Sequence, residues 1–399
     1  MAATDPNTAP STERVAERLR GIRGTIFSEM SALAVSTGAL NLGQGFPDRD
    51  GPASVVEAAV EALRSGRHNQ YAPGVGVPSL RRAVAAHQAR HYGLDLDPDR
   101  EVVITTGATE GIASALLGLV NPGDEVIVLE PFYDSYTAMI QMAGAVRRPV
   151  TLRAPHFRLD VDALRAAVTD RTTLILLNSP HNPTGTVLTR DELAAVARVA
   201  SEHDLVVVTD EVYEHLVYDE HEHVPLATLP GMFERTVTLS SAGKTFSFTG
   251  WKVGWATGPE PRVRAVEAAK QWLTFTSGSP LQPAIAHALD QEGDYYRGLA
   301  RELQVKRDQL CEGLRKLDMD VYVPEGTYFV TTDVSRYGYA DGLEFCRALP
   351  EKAGVVAIPS QAFYDDLDEG RHKVRWAFCK EADVLEEGIR RLVSSDLHA

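Results

Sequence analysis

The chain has 399 residues, of which 44% are hydrophobic and 24% charged, and its formal net charge is −15. That length allows more than one core, and so ordinary a composition excludes a disordered or fibrous chain. The negative balance, without any basic stripe, argues against a nucleic-acid partner. An anionic small ligand would have to meet local positive charge.

The opening residues, Met1-Ala2-Ala3-Thr4-Asp5-Pro6-Asn7, hold no apolar run after a basic region. No later stretch is long enough to span a bilayer, so a soluble, cytoplasmic protein is expected. Short β-branched runs at 101–105, 125–129, 173–177, 205–209 and 237–240 alternate with helix-length amphipathic segments such as 190–200. This alternation predicts an α/β fold with a parallel sheet and crossover helices, and the unbroken apolar character of the runs fits strands buried on both faces. From about Arg297 the pattern changes to a long charged helix, strand-like pieces at 326–330 and 373–378, and a final helix. The expected division is residues 1–55 packing with a small C-terminal domain at 297–399, and a large domain at 56–296. Cys311, Cys346 and Cys379 lie far apart without metal-ligand spacing, so they read as reduced, mostly buried thiols, and no metal is expected.

Polar residues cluster just after the apolar runs, where open α/β sheets bind ligands. Thr106-Gly107-Ala108-Thr109-Glu110-Gly111 is a tight turn entering a helix; its amides and dipole suit a phosphate, or it simply caps the helix. In Asn178-Ser179-Pro180-His181-Asn182-Pro183-Thr184-Gly185 the prolines and glycine fix the backbone, so that Asn182 presents its amide rigidly, unless this is a plain turn. Asp210 ends an apolar run before Glu211-Val212-Tyr213. A carboxylate there either caps a helix or needs a cation. The pyridinium nitrogen of pyridoxal phosphate (PLP) is such a cation, and pairing keeps the ring protonated as an electron sink.

Lys244 sits in Ser240-Ser241-Ala242-Gly243-Lys244-Thr245 among small and hydroxylic neighbours, with Lys252 close behind. A nearby like charge lowers an ammonium's pKa and leaves a nucleophilic amine able to form a Schiff base with PLP. A solvated loop lysine is the plain alternative. A phosphate-binding loop is excluded, because the Walker A pattern needs glycine where Thr238 stands. Dinucleotide, nucleophile-elbow and zinc-protease motifs are missing, and His221 and His223, in a charged loop, are expected to be solvated.

Asn182, Asp210, Tyr213, Lys244 and Lys252, in this order and context, resemble the fold-type-I PLP aminotransferases of class I. The resemblance runs from Asn41-Leu42-Gly43-Gln44-Gly45-Phe46-Pro47-Asp48 to Arg375 and is closest to one branch. That branch holds kynurenine, glutamine and methionine aminotransferases and bacterial proteins assigned as N-succinyldiaminopimelate aminotransferases. It implies a large domain with a mostly parallel seven-stranded sheet, a smaller α/β domain, and a homodimer with shared active sites. Lys244 would be the Schiff-base and proton-transfer residue of a ping-pong amino transfer between an L-amino acid and a 2-oxo acid. Ala108, Thr109, Ser241 and Lys252 would hold the phosphate, with Tyr71 reaching the neighbouring subunit's phosphate. Tyr133 would stack on the ring, Asn182 and Tyr213 would bond its phenolic oxygen, and Asp210 its nitrogen. Arg375 would clamp the substrate carboxylate, Gly45 would lie beside it, and Phe27 would wall the side-chain pocket. Where mammalian kynurenine enzymes carry bulky Phe-His, this chain aligns Ser277-Gly278, which implies room for long unbranched donors. Two rivals share parts of this pattern: a cysteine-conjugate β-lyase on the same scaffold, and a non-catalytic sensor, for which the chain has no DNA-binding domain.

Overall fold

The computed structural model describes residues 16–20, 22, 24–291 and 293–399; residues 1–15, on which the reading of the N-terminus rests, lie outside them. Its centre is a seven-stranded sheet in the order Val102–Thr105, Gly254–Thr257, Thr236–Ser241, Val206–Asp210, Thr172–Asn178, Glu125–Glu130 and Val146–Thr151. Gly254–Thr257 runs antiparallel to both its neighbours and every other pairing is parallel, so the fold is α/β as expected. Successive side chains of a strand point to opposite faces, and one strand therefore feeds two cores. Val126 and Val128 join Leu174 and Leu176 on one side, against Ile112 and Leu116 of the helix Gly107–Leu119. Ile127 and Leu129 join Ile175 and Leu177 on the other, against Leu193, Val196 and Val199 of the helix Arg190–Glu202.

Two strands of this sheet were not read from the sequence. Val146–Thr151 is a half-exposed edge strand containing Pro149, a residue that only an edge tolerates. Gly254–Thr257 is a four-residue strand too short for a periodicity signal. The five runs that were read all form strands.

The C-terminal part holds a second sheet, in the order Ile358–Pro359, Lys373–Ala377, Phe329–Asp333 and Asp320–Tyr322. The long charged helix spans Gly293–Arg315 and starts earlier than Arg297. Leu310 and Leu314 from this helix pack with Phe345, Trp376 and Leu385. The helix Ile26–Thr37 contributes Met30 to the same core, and Leu40–Asn41 pairs in parallel with Val355–Val356. No helix among the described residues is long and apolar enough to cross a membrane.

The parallel strands Thr172–Asn178, Val206–Asp210 and Thr236–Ser241 share one direction, and their carboxyl ends bring Asn178, Asp210 and Ser241 to one edge of the sheet. Helix Gly107–Leu119 begins against that edge.

Candidate active site

A cleft of about 460 Å³ opens at this edge. It is lined by Phe27, Gly45, Ala108, Thr109, Tyr133, Asn182, Asp210, Tyr213, Ser241, Lys244, Lys252 and Arg375, the sequence-predicted residues other than Tyr71. Tyr71 stands apart on the surface, 82% exposed, with its ring against Phe275. Ser277 and Gly278 likewise do not line this chain's own cleft.

One end of the cleft is electropositive. The first amides of a helix have no acceptor within it, and those of Gly107–Leu119 face the side chain of Lys252, whose Nζ lies 3.4 Å from Thr109 Oγ1. Lys252 holds this position with a left-handed backbone, φ +55°. Gly254 is required beside it, because a Cβ there would come within 2.7 Å of the Gly107 backbone and push the helix start away.

At the inner wall, the Asp210 carboxyl is buried, accepts a hydrogen bond from the Tyr136 hydroxyl at 2.6 Å, and accepts another from the Val212 amide at 3.3 Å. Burial raises its pKa to about 6, and the two hydrogen bonds oppose the rise. Asn178 links the wall together: its amide donates to the Asp210 carbonyl at 2.8 Å, and its side-chain oxygen accepts the Asn182 backbone N–H at 2.7 Å. His181, buried and held well below its usual pKa by that burial, pairs with Thr184 under the same loop. Tyr133 closes another side, 6.4 Å from the Phe27 ring and 5.6 Å from Tyr136.

The amine of Lys244 donates to the Tyr328 hydroxyl at 2.6 Å and lies 3.3 Å from the Gly45 carbonyl. The Tyr213 and Tyr328 rings flank it at 5.7 and 5.2 Å. Its pKa is lowered to about 8, mainly by burial; Lys252 contributes less than burial does, which corrects the expectation that the neighbouring cation is the main cause. Gly45 must be glycine, since a Cβ would strike the Phe329 ring at 2.3 Å.

Arg375 is 1% exposed. Its guanidinium donates to Asn182 Oδ1 and to the Gly43 carbonyl, both at 3.0 Å, and lies over the Phe329 ring at 3.8 Å. Burial lowers its pKa to about 10, and Asp134 acts on it only from beyond ion-pair range. Among the described residues no carboxylate forms an ion pair with Arg375, Lys244 or Lys252, although many surface arginines have one. A buried guanidinium without a carboxylate partner has the charge and fork geometry that suit one.

Reading the sequence missed Tyr136, Asn178, Tyr328, Gln44 and Asp134. Asn178 could have been found as the polar residue that ends the apolar run 173–177; the others carry no signal without the fold. The reading of His223 is corrected: it is buried, and its Nε2 lies 2.9 Å from Glu211. The loop folds inward because Val224 and Leu226 enter the core and carry His223 with them.

The Aminotransferase class I and II family matches residues 37–392, and the chain belongs to that family of transferases. It is 53% identical over 385 residues to the probable N-succinyldiaminopimelate aminotransferase of Mycobacterium tuberculosis, covering 94% of this chain and 97% of that one. Methionine aminotransferase of Escherichia coli strain K12 is 40% identical over 369 residues, covering 92% and 95% of the two chains. The solved structure of N-succinyldiaminopimelate aminotransferase from Mycobacterium tuberculosis matches with a TM-score of 0.93 at 54% identity, over 95% of this chain and 99% of that one.

Proposed function

We propose that this chain moves an amino group from an L-amino acid to a 2-oxo acid in a ping-pong cycle, with PLP as cofactor and Lys244 as the residue that binds it. The observation that carries this reading is the pairing in one cleft of a half-buried amine, Lys244, with a buried guanidinium, Arg375, that lacks a carboxylate. One suits an aldehyde and the other an amino or oxo acid.

The donor set fits a phosphorylated pyridine. Lys252, Ser241, Ala108 and Thr109 gather where a dianion is favoured, and Tyr133 offers a ring face. Asp210 offers an anion to a ring nitrogen. Asn182 spends its oxygen on Arg375 and keeps its N–H groups, which with the Tyr213 hydroxyl suit a phenolic oxygen. Bound there, PLP supplies an electrophilic carbonyl and an electron-withdrawing ring.

The chain's own groups supply the rest. With a pKa near 8, the Lys244 amine is in part neutral at physiological pH, so Nζ can accept a substrate's α-proton and return it. Tyr328 keeps that nitrogen in place. Asp210 keeps a proton on the ring nitrogen by its charge. Arg375 binds the carboxylate common to every donor and acceptor and so fixes the orientation of the α-carbon.

On donor choice, Phe27 gives the cleft one apolar wall, 5.7 Å from Phe363. At Gly278 a Cβ would meet only Leu281, at 3.5 Å, so the bulk carried there by kynurenine enzymes is missing. In a homodimer this segment and Tyr71 would reach the neighbouring site, and long unbranched 2-amino acids would be preferred over kynurenine. A donor panel against pyruvate and 2-oxoglutarate tests the proposal. Oxo-acid formation matched by acceptor amination is expected. Release of pyruvate and ammonia from cysteine conjugates as the faster reaction would replace it with β-elimination, and kynurenine at the head of the panel would overturn the donor reading.

A further inference from the structure

We propose that His87, Glu214 and His215 form a binding site for one zinc ion, outside the cleft and on the far side of the turn that carries Asp210 and Tyr213. His87 and His91 lie one helical turn apart on Pro78–Tyr92, while Glu214 and His215 follow the strand Val206–Asp210. The fold brings these two distant stretches together, which is why no spacing motif announces them.

The geometry is close to what zinc requires. His87 Nε2 and His215 Nε2 are 2.7 Å apart, Glu214 Oε2 lies 4.0 Å from His215 Nε2, and the three ligand atoms all fall within 4.8 Å of one another. Zinc bonds of about 2.0–2.1 Å at tetrahedral angles set ligand atoms about 3.3 Å apart, so side-chain shifts on the order of 1 Å complete the site. His91 lies nearby, its ring 4.6 Å from His87 and 5.2 Å from His215, but its Nε2 is held by the Tyr296 hydroxyl at 2.7 Å, so a water would complete the tetrahedron.

The chemistry agrees. One of the two facing Nε2 atoms donates to the other, so metal binding requires the donor ring to carry its proton on Nδ1 instead, which leaves both Nε2 atoms free as ligands. Glu214 is oriented by the Tyr92 hydroxyl at 2.6 Å and by Ser240, and Tyr296 stacks on His215 at 4.0 Å, the outer contacts that fix metal ligands. Arg90 and Arg297 are the nearby cations, and Glu214 with Glu211, held through His223, offsets them. His87 Nδ1 is buried with no hydrogen-bond partner, so either tautomer of that ring is open and its proton can sit on Nδ1 while Nε2 faces a metal. His91 and His215 are only partly buried, which leaves an entry path.

The test uses tag-free, PLP-loaded protein, dialysed against a chelator and titrated with zinc sulfate alone in competition with a chromophoric chelator. One equivalent should bind, and X-ray absorption should show nitrogen and oxygen donors, including imidazole, at about 2.0–2.1 Å. His87→Gln and His215→Gln should each weaken binding about tenfold or more. Failure of the wild type to compete for zinc would overturn the proposal, as would undiminished binding by both variants. If the variants do not fold, absorption on the wild type decides alone: sulfur donors, or a shell without imidazole, would refute the site.

Discussion

Arg375 offers the sharpest test of the proposed substrate site. Replacing it with Lys keeps a positive charge but loses the planar fork, and one ammonium cannot reach Asn182, Gly43 and a bidentate carboxylate together. Replacing it with Ala removes the charge from a site that is 1% exposed. Truncating one member of a buried, hydrogen-bonded charge pair costs about 2–5 kcal/mol, which is about 30-fold to a few thousand-fold in binding at 1.4 kcal/mol per tenfold. Because every amino acid and oxo acid presents the same carboxylate, KM for donor and acceptor should rise together, with Lys between wild type and Ala. A binding readout separates this from damage to the chemistry. An unreactive carboxylate analogue at about 100 times its wild-type Kd should add about 2.7 kcal/mol to wild-type stability, seen as a rise in Tm, and at the same concentration less than about 1 kcal/mol to Arg375→Ala. An equal thermal shift in the variant, or a KM that rises for one substrate class only, would remove Arg375 from the carboxylate site.

Asp210→Asn should disable catalysis yet stabilise the cofactor-free protein above pH 6. The folded pKa, about 6, exceeds the usual 3.8, so the native state gains from protonation at low pH and loses that gain as pH rises through 6; roughly two units correspond to about 3 kcal/mol. An Asn variant that melts below wild type at pH 8 would contradict this. Lys244→Ala should fold and stay inactive, and borohydride reduction of PLP-loaded wild type should leave its adduct on Lys244 in peptide maps; an adduct on another lysine would refute the assignment. Mixing inactive Tyr71 and Lys244 variants should recover part of the activity, because Tyr71 is exposed in the single chain and would complete a neighbour's site; a fully active monomer by light scattering would end that reading.

Buried strands and their carboxyl ends were legible in the sequence because an unbroken apolar run ending in one polar residue leaves little choice of place for that residue. Asp210 is of this kind, and so is Asn178, although the prolines of the next few residues drew the reading on to Asn182. Lys244 was legible through its motif, but the cause of its lowered pKa was not: the enclosing contacts from Tyr328 and Gly45 come from distant segments, and a neighbour in sequence drew the attention instead. His223 was misread for the same reason, since loop composition says nothing of a loop that packs inward. Tyr136 looks like an ordinary helix residue until the sheet edge places Asp210 against it.

Lys252 shows ligand and backbone preferring different residues at one position. With φ at +55°, a side chain bearing a Cβ is disfavoured by about 1–2 kcal/mol relative to glycine, and folding alone would select glycine there. The lysine stands there against that preference, as expected if its charge serves the proposed phosphate site. Lys252→Gly should therefore produce a chain that resists heat better and keeps its phosphorylated ligand less well, with the two properties moving in opposite directions under a single substitution.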